Sequence, residues 1–179
     1  MTVVVRQEPM GRLDEYAEIS IAFEVVGRFD PDTLSVDPVA RPWRKDYDAI
    51  ETSGPRHWPK RFDVSKWGLF AAFVDDRRVG GATVARDTAN MHMLDGRTDL
   101  AFLLDLRVDD GRRAQGVGRA LVEAAEAWSV DCGLVEMKVE TQDINSRACG
   151  FYEAMGFTLA EVDPNAYPDL PGETQIIWR

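Results

Sequence analysis

Cysteine and histidine are nearly missing from this chain, with two of each in 179 residues. Cys132 and Cys149 fall at the end of one helical pattern and inside another. That excludes a disulfide scaffold and reads as two reduced thiols. His57 and His92 are far apart and form no ligand spacing, so no metal site is expected. No run approaches the ~20 apolar residues of a membrane span, and the N-terminal residues lack the build of a signal peptide. A cytoplasmic location is the expectation. Basic residues are outnumbered, 21 against 31 acidic ones, giving a net charge of −10. This balance argues against nucleic acid and anionic membranes as partners. It suits a cationic small molecule, because an acidic cleft concentrates amines, and it equally describes an acidic solvent face. Internal repeats, heptads and low-complexity tracts are lacking as well. What is left, 45% hydrophobic and 29% charged, reads as one globular domain over residues 1–179.

The chemistry concentrates between residues 101 and 131. Residues 101–108 are short, apolar and charge-bounded, the pattern of a mostly buried strand. Val117, Ala120, Leu121, Ala124, Ala127 and Trp128 recur at three- and four-residue steps, the spacing of one helix face. Between strand and helix stand Arg113, Ala114, Gln115, Gly116, Val117, Gly118 and Arg119. First-turn N–H groups lack intrahelical partners, and the helix dipole favours negative charge there. Glycine without a Cβ lets a phosphate approach the backbone, and Arg112, Arg113 and Arg119 add positive charge locally. A phosphate-bearing ligand is expected at 113–119. Gly111 and Gly116 have Walker spacing, but Val117 and Gly118 occupy the Lys and Ser/Thr positions. A dinucleotide fingerprint from Gly116 would need a glycine where Leu121 stands. Both nucleotide motifs fail.

Further along, residues 134–140 alternate, with Val135, Met137 and Val139 on one strand face. Asn145 is a good N-cap, Ala148, Phe151, Tyr152 and Met155 share a helical face, and Gly156 sits where a C′ residue belongs. Upstream, residues 3–8 read as a strand, 13–19 as a short helix and 21–28 as a second extended segment. Residues 30–67 are rich in Pro, Asp, Arg and Trp without a clean period, which is loop chemistry. There Trp43, Tyr47 and Trp58 either line a pocket or pin the loop to the core, pinning being the commoner use. Residues 68–74 and 79–86 read as a hairpin closed by Asp75, Asp76 and Arg77, followed by a polar link over 87–97.

The pattern R-x-x-G-x-G from Arg113 to Gly118 resembles the pyrophosphate loop of the GCN5-related N-acetyltransferases, the GNAT family. The run from Asn145 through Tyr152 to Gly156 and Phe157 resembles the second half of the same signature. The resemblance implies an α/β (α+β) fold: a single mixed, mostly antiparallel twisted sheet flanked by helices, with splayed central parallel strands holding acetyl-CoA. It places the cofactor core at about 99–157 and the acceptor side at about 20–67. It implies an N-acetyltransferase using acetyl-CoA, with the pyrophosphate on 113–119 and backbone groups of Leu106 and Val108 on the pantetheine arm. Asn145 would hydrogen-bond the same ligand, Tyr152 would protonate the leaving thiolate, and Asp105 is the best acidic candidate on its strand. Asp105 has the alternative of being satisfied by neighbouring donors, and Glu140 is a second acidic candidate. Phe23 to Arg28, Glu140 to Asp143, and Val162, Asp163 and Tyr167 are similar to segments of the streptothricin acetyltransferases. Leu104 departs from that group, which tends to carry an acidic residue there. The implied acceptor is a small cationic amine, with a protein or peptide amine, or a non-catalytic coenzyme A-binding regulator, as alternatives. Dimerisation is common in this fold, and exchange of a C-terminal strand is one route to a homodimer.

Overall fold

Residues 2–179 are described by a computed structural model. In chain order the elements are β1 (Val4–Glu8), α1 (Leu13–Tyr16), β2 (Phe23–Asp30), β3 (Ser35–Lys45), α2 (Trp58–Arg61), β4 (Gly68–Val74), β5 (Arg77–Ala85), β6 (Leu100–Val108), α3 (Val117–Asp131), β7 (Glu136–Gln142), α4 (Ser146–Met155), β8 (Leu159–Asp163) and β9 (Gln175–Trp178). They sort into two units that alternate along the chain. One contains the residues up to Ile21 together with Tyr47–Met137, and the other contains Ala22–Asp46 and Lys138–Arg179.

In the first unit β1, β4, β5 and β6 follow one another through antiparallel pairings. Asp75 and Asp76 take φ of 50° and 57° between β4 and β5. Two left-handed residues match the right-handed twist of the flanking strands, and aspartate tolerates that conformation. Arg77, expected in the turn, is already the first residue of β5. Gly80 and Gly81 let the sheet be approached closely. A Cβ at Gly80 would lie 2.7 Å from the Arg107 carbonyl and 3.1 Å from Val117, and one at Gly81 would lie 2.5 Å from the Tyr16 ring. A core of Leu13, Tyr16, Trp58, Trp67, Leu69, Met91, Leu94, Leu100 and Phe102 packs within this unit. Trp58 stacks between Tyr16 and Trp67 at about 6 Å and so pins its segment.

In the second unit β2 and β3 form a hairpin, and β9 pairs antiparallel with both β7 and β8. Here a segment read as loop is a strand. β3 runs eleven residues with its side chains mostly exposed, so it carries no inside-outside alternation. Pro38 is tolerated because β3 has only β2 as a partner, and Pro42 because it lies in the irregular stretch between Pro38 and Trp43, where the register with β2 shifts. Asp143 joins the hairpin to the rest of the unit. Its carbonyl accepts from Phe29 N–H at 2.8 Å, and its carboxylate accepts from Arg28 at 2.6 Å and Thr174 N–H at 2.8 Å. Lys45 pairs with Glu173, and Phe29 packs on Trp178.

Three smaller expectations shift. The early helix covers only Leu13–Tyr16, after a tighter turn at Met10–Arg12. The buried face of α3 is Val117, Leu121, Val122, Ala125 and Ser129, while Ala127 faces solvent. Val135 precedes β7 and is 73% exposed, and Lys138 and Val139 are both buried, so the alternation read there is out of phase. Among the described residues no helix is long and apolar enough to cross a membrane.

Candidate active site

β6 ends at Val108, and Asp109 caps a tight turn over Asp110–Arg112 by accepting from Gly111 N–H at 3.2 Å. Ala114 and Gly116 then take φ of 57° and 86°. Two left-handed residues flanking Gln115 turn the chain sharply into α3, whose first intrahelical bond is Ala120 N–H to the Gly116 carbonyl at 3.0 Å. No side chain caps α3, and residues 114–116 are exposed. The helix start therefore presents backbone donors without a carboxylate or hydroxyl in front of them. Arg113 is steadied by Asp110 at 2.9 Å and by the Val108 carbonyl at 3.3 Å. Arg119 lies within 3.9 Å of Glu123. This loop is shaped for an anion.

The strand leading into it is polarised. Asp109 N–H donates to Val79 O at 2.8 Å, and Val108 and Leu106 face Gly80 and Ala82 in register. Antiparallel bonding alternates sides, so the N–H groups of Leu106 and Val108 point away from β5. A bulge falls at Leu104, since Thr83 pairs with Asp105 and Val84 with Leu103. Beyond it Asp105 and Arg107 are buried, and Leu106 and Val108 are half-exposed.

Asp105 lies in a closed network. Its Oδ1 accepts from Arg107 Nε at 2.8 Å and from the Tyr16 hydroxyl at 2.5 Å, and its Oδ2 accepts from Arg107 Nη2 at 2.9 Å. Arg107, 1% exposed, also donates to both carboxylate oxygens of Asp48 at 2.5 and 2.9 Å and to the Ile19 carbonyl at 3.1 Å. Burial, with the Asp105 charge beside it, pushes the Tyr16 phenol well above its ordinary value. Of this network the sequence reading named Asp105 alone. Its signal was nonetheless present: an Asp and an Arg two apart in an apolar strand share one face.

In the second unit Asn145 caps α4, accepting from Ala148 N–H at 3.3 Å. Tyr152 is buried, edge-on to Phe151 at 5.1 Å and to Phe157 at 5.6 Å. Cys149, three residues earlier in α4, is buried, and burial raises its thiol to about 11. Glu140 accepts from the Tyr167 hydroxyl and from Gln175 at 3.0 Å, and Gln142 donates to the Tyr167 oxygen at 3.1 Å. Arg28, Glu140, Asp143 and Tyr167, drawn from three separated stretches of sequence, thus meet in two small polar clusters. Among the described residues no group of three or more His, Cys, Asp or Glu side chains is arranged to hold a metal.

Residues 37–157 match the acetyltransferase (GNAT) family. The chain is 29% identical over 153 residues to the streptothricin acetyltransferase of Escherichia coli, a match covering 84% of this chain and 75% of that protein. It is 36% identical over 80 residues to streptothricin acetyltransferase A of Bacillus subtilis, where it spans 46% of the relative. A solved Bacillus anthracis protein assigned as a streptothricin acetyltransferase, in complex with acetyl coenzyme A, superposes with a TM-score of 0.78. That alignment has 25% identity and covers 99% of this chain and 97% of the other.

Proposed function

From its membership of the acetyltransferase (GNAT) family, which makes it an N-acetyltransferase drawing on acetyl coenzyme A, we propose that this chain acetylates a primary amine of a small cationic acceptor of the streptothricin type. The match to the Escherichia coli enzyme over 84% of the chain carries this reading. The net charge of −10 supports a cationic acceptor.

Acetyl coenzyme A supplies an acyl group activated as a thioester. In this proposal the loop of Arg113, Ala114, Gln115, Gly116, Val117, Gly118 and Arg119 holds the pyrophosphate. The exposed turn, the uncapped helix start and the flanking arginines fit such a polyanion. Leu106 and Val108 turn their N–H groups away from β5, the side on which this reading seats the amides of the pantetheine arm. Val108 N–H is then placed to steady the carbonyl oxygen as it gains charge. Asn145 contributes a further hydrogen bond from the start of α4.

Proton transfers complete the reaction. A lysine-like amine with a pKa of about 10.4 needs roughly 4.6 kcal/mol to be neutral at pH 7, so its proton must have a path out. Both oxygens of Asp105 are already engaged by Arg107 and Tyr16. Its part in our reading is to support the strand, with the proton leaving through water. Tyr152 donates a proton to the departing thiolate.

Two measurements test the ligand assignments. Gly116 has positive φ, but Gly118 does not, so a valine at 118 incurs no left-handed backbone strain. Gly118→Val should fold normally and bind acetyl-CoA at least tenfold more weakly by calorimetry, because its branched side chain stands in the phosphate path. Unchanged affinity would remove the loop from the site. For the acceptor, thiol release with streptothricin should be rapid and should fall with added salt, as screening weakens the attraction of an acidic cleft for the amine. Turnover of another amine with none of streptothricin would leave only the broader activity.

A further inference from the structure

The guanidinium of Arg107 uses all five of its N–H donors, and they reach three separate stretches of the first unit. Nε and Nη2 meet Asp105 on the same strand, Nη1 and Nη2 meet Asp48, and Nη1 also meets the carbonyl of Ile19. Its face lies 5.4 Å from the Tyr16 ring, whose hydroxyl closes the circuit onto Asp105. The Asp48 end belongs to a small self-closed knot. Ser53 Oγ donates to the carbonyls of Tyr47 and Ile50, Ile50 N–H returns to Tyr47 O, and Gly54 at φ 67° passes over the Asp48 carboxylate. A knot tied internally moves as one piece. Beyond the knot, Arg56 pairs with Asp14 on the surface, and Trp58 packs on Tyr16 and Trp67.

The geometry points to Arg107 as a positioning residue that clamps the 47–53 knot onto β6 and so fixes one wall of the acceptor side. This rests on the acceptor reading above, taken with the family resemblance that implies an acceptor side at about 20–67. Arg107 sits between Leu106 and Val108, and side chains alternate along a strand. Its side chain therefore leaves β6 on the opposite face from theirs. A single strand thus presents backbone groups for the donor and, through Arg107, holds the acceptor wall in register with them. Asp105 serves as the fixed anchor that keeps the guanidinium plane turned toward Asp48. Arg is required rather than Lys, because only a planar fork satisfies two carboxylates side by side.

Asp48→Asn tests the clamp, because Asp48 is at its more exposed end and the variant keeps the side-chain volume. Two readouts are taken on the full chain. Hydrogen exchange without any acceptor should show the amides of Ile50 and Ser53 opening about tenfold faster, with β4 and β5 unchanged. Steady-state kinetics with streptothricin should show the acceptor KM raised on the order of tenfold while the KM for acetyl-CoA stays within twofold. Asp48→Glu, which restores the carboxylate, should recover part of the acceptor KM. Unchanged exchange overturns the clamp, as does faster exchange with an unaltered acceptor KM or an equal rise in both constants. If wild-type protein does not acetylate streptothricin, the acceptor reading fails by itself, and the exchange experiment still decides whether Asp48 holds the knot.

Discussion

Replacing Tyr152 with phenylalanine is expected to lower turnover roughly 10²- to 10⁴-fold, the range for loss of a positioned acid or base. A phenol near 10 giving its proton to a thiolate whose acid lies near 8.5 works uphill by only about 2 kcal/mol, which an oriented donor manages readily. The change removes one oxygen and keeps the ring, so the edge-on contacts with Phe151 and Phe157 persist and α4 should fold as before. Affinity for acetyl-CoA should change little, because most of the binding energy comes from phosphates and pantetheine. Thiol-release kinetics under conditions where chemistry limits the rate, beside calorimetry with acetyl-CoA, make the comparison. Near-normal turnover would mean that water protonates the thiolate and that Tyr152 is a core aromatic.

Arg107→Met should destabilise the first unit strongly. It leaves Asp105 and Asp48 facing one another without their cation, and the Ile19 carbonyl without its donor. Removing one member of a buried ion pair typically costs about 3–5 kcal/mol, since the remaining charge stays desolvated. In a chain of this length that corresponds to a fall in thermal midpoint on the order of 10 °C. Pairing it with Asp48→Asn should cost less than the sum of the two changes, because the second removes one stranded charge. Chemical denaturation of the single and double variants measures this directly. A loss below about 1 kcal/mol in Arg107→Met would show that the network is dispensable.

The parts of the molecule that were legible in the sequence are those where one physical demand dominated. Two aspartates closing β4 onto β5, Gly116 at the start of α3 and Gly156 at the end of α4 each answer a local backbone requirement. β6 was legible because it is buried almost throughout. β3 was not, because a solvated strand carrying Pro38 and Pro42 has neither alternation nor a hydrophobic run. The network around Arg107 stayed hidden for another reason. Its members, at 16, 48, 105 and 107, are united only by folding, and an isolated Asp in a strand reads alike whether it is a base or an anchor. The polar pairs of Arg28 with Asp143 and of Tyr167 with Glu140 were equally long-range, but resemblance to known enzymes had already singled out their segments.

The order in which the ribosome delivers the chain adds a further consequence for the β2–β3 hairpin. Arg28 waits for Asp143, 115 residues later, and Lys45 waits for Glu173, 128 residues later. At a synthesis rate of about 5–20 residues per second, the hairpin is made on the order of ten seconds before its anchors exist. Two isolated strands are barely stable in water, and Leu34 and Val36 keep apolar surface exposed even after folding. Throughout that interval the nascent hairpin is a sticky, unanchored ribbon. Its two prolines at 38 and 42 have no N–H to offer a neighbouring chain.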